Sequence, residues 1–376
     1  MSKLTLWRWI ATPFPRLNNE HFHRGLLMKT RFFTSVIADV AFIFVLAASV
    51  VISAPAHSAA VANTSSKFIT PSKTVPLVPG QMLAGSDFER AQQPYIIQRL
   101  TQNVYWIEIS GYQSTVVVGE AGVMVIDAPC CGRVANYLKA IGEITDLPVT
   151  TLVYSHYHLD HVGGAHDYVK HAATSNTPLR IVASTAANAR INNFGNKVPP
   201  PTELVSVPRG TFDFEGMTVL VGTPPTGHTT DDSWILLKDE GVLHNVDLVH
   251  PGNLEFMDFG VAENIDGYEK SVRELLTVEW QILSPGHSNI GSRSDVELVL
   301  DYLSDIRGHV QGAMSETPFG PHVQDGKSFY EWVAGFRDAV IDKAVERMRP
   351  KWGPYPGFDT VARSHAQAMF FETYLH

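Results

Sequence analysis

Six consecutive residues limit what this chain can become. His156, Tyr157, His158, Leu159, Asp160 and His161 spell H-x-H-x-D-H directly after the apolar run 151–154. Such a run reads as a buried strand, and its end delivers four polar side chains into one loop. Imidazole nitrogens and carboxylate oxygens are a donor set that zinc accepts. Packing has no use for this cluster, so the fold must carry the strand end into a metal-binding cleft. Four donors do not close two metal sites, but further candidates follow, each again at the end of a strand-like run. Gly227-His228 follows residues 217–222, Asp247 follows 242–246, and Gly286-His287 follows 280–283.

This order of H-x-H-x-D-H, Gly-His, a lone Asp and a second Gly-His resembles the metallo-β-lactamase-fold metallohydrolase superfamily, in the aspartate-bridged dinuclear branch that includes glyoxalase II and lactonases. The resemblance covers roughly residues 104–290. It implies an α/β fold, an αββα sandwich, here with a C-terminal helical appendage. It also implies two Zn2+ ions, with iron or manganese as substitutes. His156, His158 and His228 would hold the first, Asp160, His161 and His287 the second, and Asp247 would bridge both. Asp127, after the run 123–126, is implied as a partner behind the ligands. Two positions depart from the pattern. Asn245 and Val246 precede Asp247 where the family usually has glycine. The true β-lactamases carry cysteine or serine at the Asp247 position, so the name of the fold does not carry over to the substrate.

The activity implied is hydrolysis of a small ester, lactone, thioester or amide by a hydroxide bridging the two ions. Asp160 would orient that hydroxide. His250, three positions after Asp247, is either a donor to the developing oxyanion or a surface-loop histidine. Phe256, Met257 and Phe259 form either an apolar wall for the substrate or part of the core. His166 and His171 are expected on an exposed helix face, and His309, His322, His365 and His376 lack ligand partners in sequence. Alternatives on the same fold are β-lactamase-like activity, a mononuclear iron sulfur dioxygenase, and a binding protein without catalysis. Diiron members have glutamate at the position of His158, which argues against them.

Composition supports one large enzyme domain with additions: 376 residues, 44% hydrophobic and 18% charged. Lys29 and Arg31 precede thirteen uncharged residues, 40–52, and then Ala54-Pro55-Ala56, the order of a signal peptide, with Met28 as an alternative start. The run is short of the ~20 residues of a membrane span, so no stable membrane anchor is expected after cleavage and the mature protein is expected to be periplasmic or secreted. Residues 1–58 contain six basic and two acidic residues, so their removal takes the net charge from -9 to -13. Nucleic-acid binding rests on basic surface, so nucleic acid is excluded as a partner. A small-molecule substrate and a homodimer remain.

The expected organisation is an upstream extension and signal peptide over 1–58, an extended lead-in over 59–94, the catalytic domain over 95–310 and a C-terminal helical appendage over 311–376 that lines or covers the site, supports a dimer or, the favoured reading, simply packs on the core. Cys130 and Cys131 are adjacent, a spacing that disfavours a bond between them, and are expected to be structural. A helix is expected over 133–144, and another opens at Asp160 and runs to His171, with Gly163-Gly164 letting the backbone approach the metals. Capping boxes at Ser294/Glu297 and Ser328/Glu331 predict helices to about Val310 and Arg347, and Asp359 starts a last one.

Overall fold

Alternate side chains of the strand Val104–Ile109 enter two different cores: Val104 and Trp106 one, Tyr105, Ile107 and Ile109 another. A strand buried on both faces must be the middle of a layered structure. The computed structural model describes residues 67–376 apart from Asn196 and Pro225. The expected extension and signal peptide lie outside them. Of the expected lead-in, residues 67–94 carry a parallel pair, β1 (Phe68–Ile69) and β2 (Met82–Leu83), and a short helix, α1 (Asp87–Ala91).

A seven-stranded sheet follows in sequence order: β3 (Ile96–Arg99), β4 (Val104–Ile109), β5 (Tyr112–Val118), β6 (Val123–Ile126), β7 (Val149–Val153), β8 (Arg180–Ser184) and β9 (Glu203–Val205). It is antiparallel from β3 to β6 and parallel from β6 to β9. The parallel crossovers carry helices α2 (Val134–Gly142), α3 (Leu159–Val162), α4 (Ala165–Thr174) and α5 (Thr185–Asn193). The second sheet has five strands: β10 (Arg209–Phe214), β11 (Met217–Gly222), β12 (Trp234–Leu237), β13 (Val242–His244) and β14 (Ile282–Ser284). Between β13 and β14 lie α6 (Met257–Val261) and α7 (Ile265–Leu275), and after β14 come α8 (Arg293–Glu316), α9 (Phe329–Trp352) and α10 (Phe358–Leu375).

Three apolar clusters glue these layers. Trp106, Met124 and Val153 of the first sheet meet Val219, Ile235 and Ile282 of the second between the sheets. Tyr137, Tyr168 and Ile191 place α2, α4 and α5 on the outer face of the first sheet. Trp234, Leu236 and Leu243 place α7 and the three C-terminal helices on the outer face of the second. The expected αββα sandwich with a C-terminal helical appendage is the observed fold.

Several local expectations are corrected. Cys130 and Cys131 are joined by a disulfide, in a loop where Cys131 and Gly132 both take the left-handed backbone. The helix after the metal motif breaks into α3 and α4 at Gly163-Gly164. Those glycines face the loop after Asp127, not the metals: a Cβ on Gly163 would lie 2.8 Å from Cys130 Cβ, and one on Gly164 2.6 Å from Pro129 O. The helix α8 is capped by Ser292, whose N–H and hydroxyl both donate to Asp295, rather than by Ser294 and Glu297, and it passes through residue 310 to Glu316. The bridge between Leu283 and Gly291 holds the chain extended up to Ser292 and so sets that start. Ser328 and Glu331 do form a capping box for α9, which runs on to Trp352.

Candidate metal centre

Each candidate donor sits in a loop at the end of a strand that the core locks in place. The end of β7 supplies residues 156–161, and the loops after β11, β13 and β14 supply His228, Asp247 and His287. Among the described residues the seven fall into two groups whose donor atoms lie within 4.8 Å of one another: His156, His158, His228 and Asp247, then Asp160, His161 and His287. Asp247 stands between the groups. Its Oδ2 lies 3.5 Å from His156 Nε2, 3.3 Å from His228 Nε2 and 3.1 Å from His161 Nε2, and its Oδ1 is 3.4 Å from His287 Nε2.

The donor set fits two cations better than it fits itself. His156 Nε2 is fully buried without a hydrogen-bond partner. The nitrogens of His158 and His228 face each other at 2.9 Å, and those of His161 and His287 at 3.2 Å. Buried polar atoms ordinarily find partners, so converging lone pairs mark a cation position. Charge points the same way. Burial alone would raise the Asp247 carboxyl, but His161, His228 and His287 outweigh it and hold it well below the usual carboxylate range. Burial and neighbouring His161 push His156 well down, leaving it neutral. His161 goes the other way: burial would lower it, yet Asp247, Asp160 and Asp127 raise it to about 10, a measure of how strongly this half draws positive charge.

Behind the donors is a layer that sequence reading found only in part. Asp127, expected there, accepts from Ser155 N at 2.9 Å and Ser155 Oγ at 2.8 Å, and lies 3.6 Å from His161 Nδ1. His244 was missed: it is buried, 3.3 Å from Asp127 through Nε2 and 2.8 Å from Thr115 Oγ1 through Nδ1. No spacing rule marks it, since it lies inside β13. Arg90 of α1 was missed too. It is buried against Glu108 at 3.0 Å and donates to Ser288 O at 3.3 Å, next to His287.

The metallo-β-lactamase superfamily family model matches residues 110–287, a span that contains all seven donors. Over that span the chain is similar to this superfamily. Among similar proteins, the β subunit of 2,4-dinitroanisole O-demethylase from a Nocardioides species is 23% identical over 282 residues, covering 73% of this chain and 80% of that protein. An atrochrysone carboxyl ACP thioesterase of Aspergillus fumigatus is 26% identical over 198 residues, 52% of this chain and 57% of the thioesterase. A solved metallo-β-lactamase from Pontibacter korlensis superposes with a TM-score of 0.47 at 18% identity, over 55% of this chain and 98% of that one.

Around these donors open two cavities of about 500 and 530 Å³ that share His158, Asp160 and Val261. The smaller is walled by Tyr157, Leu159, Ile191, Phe194 and Val198. Tyr157 and Phe194 stack at 4.8 Å, with the Arg190 guanidinium over both rings. The larger is lined by Tyr112, Glu108, His250, Phe256 and, from the C-terminal helices, Val361. Of those helices α10 thus lines the site, one of the readings the sequence left open, where simple packing was favoured. His250 is not a surface histidine: it is buried, its Nδ1 meets Glu255, and its ring lies parallel to His287 at 5.8 Å. Phe256 is exposed on the cavity wall, Met257 is exposed beside it, and Phe259 is core. His166 and His171 are exposed as expected.

The wall next to the donors has an unusual backbone. Asp258, Phe259, Gly260 and Val261 have φ of 53, 56, 70 and 59°, a left-handed turn within α6. Left-handed helix costs roughly 1–2 kcal/mol per L-residue, and three of the four are not glycine. Gly260 meets a second demand: a Cβ there would lie 3.1 Å from Asp247 O and 3.3 Å from His228 Nδ1.

Proposed function

We propose that this hydrolase of the metallo-β-lactamase superfamily cleaves a small ester, thioester, lactone or amide at a centre of two divalent metals, zinc first among them. The observation that carries the reading is Asp247, set between two complete donor groups at 3.1–3.5 Å from four imidazoles. Two bound divalent cations supply Lewis acidity and bring the ionisation of water near neutral pH. The chain supplies the rest. Asp160, with a partly exposed carboxylate at the cavity edge, is placed to orient the attacking water and take up its proton. His250, with Nδ1 held by Glu255, keeps its other ring nitrogen for the oxygen or leaving group of a substrate in the larger cavity. The smaller, apolar cavity takes an acyl chain or an aromatic ring.

The O-demethylase relative, matched over most of its length, supports an aryl ether as a second substrate class, and the stacked Tyr157 and Phe194 rings suit an aryl group. The likeness to a thioesterase supports acyl transfer to water. Asp247, in place of the cysteine or serine of true β-lactamases, makes β-lactams the weaker candidates. Export of the protein as a periplasmic or secreted enzyme rests on the apolar run 40–52.

The zinc-loaded protein is to be assayed against p-nitrophenyl esters, an acyl thioester, acyl lactones, 2,4-dinitroanisole and a β-lactam, with His158→Ala as control. We expect hydrolysis of an acyl substrate at least tenfold above the variant. Failure on every acyl substrate with two metals bound, or one iron and no zinc per chain as purified, would overturn the reading.

A further inference from the structure

We propose that the C-terminal helices act on the site through one side chain: His365 of α10 is a positioning residue that clamps the left-handed turn 258–261 against His228 and Asp247. The turn is closed by its own bonds from Gly260 N to Phe256 O and from Ala262 N to Asp258 O, at 3.0 and 3.1 Å. These do not offset a backbone that L-residues avoid, so the turn needs outside support. His365 gives it at two points. Its Nε2 donates to Phe256 O at 2.8 Å, at the start of the turn, and its ring lies on Phe259 at 4.3 Å with 14° between the planes. Its neighbour Ser364 accepts from Asp258 N at 3.0 Å.

The tautomer is fixed from behind. Tyr302 of α8 stands 2.9 Å from His365 Nδ1 through its hydroxyl. Burial keeps the ring neutral, so with Nε2–H committed to Phe256 O, Nδ1 accepts from the Tyr302 hydroxyl and the ring is held in a single orientation. The clamped turn carries Val261 into both cavities and presses Gly260 on two candidate ligands. Shape of the substrate wall and posture of the metal donors therefore share one support that lies outside the family match of residues 110–287.

Two variants separate the parts of the clamp. His365→Phe keeps the ring stacked and removes the donor, His365→Gln keeps a donor and removes the ring, and Tyr302→Phe perturbs the tautomer alone should either fail to fold. Hydrogen exchange of the peptide spanning residues 254–264, followed by mass spectrometry, is expected to be about tenfold faster in His365→Phe, with less change in Tyr302→Phe and none in peptides from β4 to β7. In steady-state assays with p-nitrophenyl acetate and p-nitrophenyl octanoate, the ratio of kcat/KM for the two esters is expected to shift at least threefold while metal content stays at the wild-type value. A turn that exchanges at the wild-type rate in every variant, or exchange that rises equally across all peptides, overturns the proposal. The ester readout rests on the hydrolase reading and the exchange readout does not. A wild-type protein that cleaves neither ester therefore counts against that reading, while exchange alone decides the clamp.

Discussion

At the scale of single residues, burial decides which histidines matter. Burial takes His365 down to about 4, so the folded ring stays neutral where an unfolded one, near 6.5, has taken up a proton. Between those values the unfolded chain binds more protons, and stability falls as pH drops from 6.5 towards 4, by about 3 kcal/mol over the whole window. Urea unfolding at pH 7 and pH 5 is expected to show about 2 kcal/mol less loss in His365→Phe than in the wild type; equal losses would remove this contribution. In sequence His365 has no partner within reach, and it looked like background. His156 to His161 were legible because four donors crowd six positions. His244, inside an apolar strand, and His365, inside a helix, acquire their partners only through tertiary structure. His250 was half legible: its distance from Asp247 marked it, but Glu255, which fixes its Nδ1, did not stand out.

At the scale of elements, strand ends were readable and turns were not. The runs before His156, His228, Asp247 and His287 announced themselves by hydrophobicity, and each overlaps a strand, β7, β11, β13 and β14 in turn. The start of α8 was misplaced by two residues because Ser292/Asp295 and Ser294/Glu297 offer competing caps, and the bridge at Gly291 decides between them. The left-handed turn had little signal beyond Asp258 and one glycine, since phenylalanine and valine do not predict positive φ. Gly260→Ala tests its tightness. Alanine at φ 70° costs about 1 kcal/mol from conformation, and its Cβ meets Asp247 O and His228 Nδ1 at 3.1 and 3.3 Å. We expect a small loss of thermal stability but a zinc affinity at least tenfold weaker by competition with a chromophoric chelator. An unchanged affinity would mean that the two loops can retreat without disturbing the donors.

At the scale of the whole molecule, the centre lies where the two halves of the sandwich meet, and its occupancy should govern stability. Two equivalents of zinc per chain are expected to raise the calorimetric unfolding temperature, and dialysis against EDTA to lower it. With free metal a thousandfold above Kd the gain is about 4 kcal/mol for each site filled. A transition indifferent to chelation, with metal content verified by elemental analysis, would mean that the donors do not hold the ions. The αββα layering was legible through the family motif, whereas the part played by α8–α10 was not: apolar periodicity shows that a helix packs, not that its neighbour borders a cavity.

The division of donors between the two halves also bears on how the protein is made. His156, His158, Asp160 and His161 belong to the first half, whereas His228, Asp247 and His287 come from the second, and the facing rings of His161 and His287 are 126 residues apart in the chain. A ribosome emits the first four long before the last. Neither donor group is complete without the second half, so a nascent chain cannot present either set of donors as the finished protein does, and any metal the site takes must wait until both halves have been made.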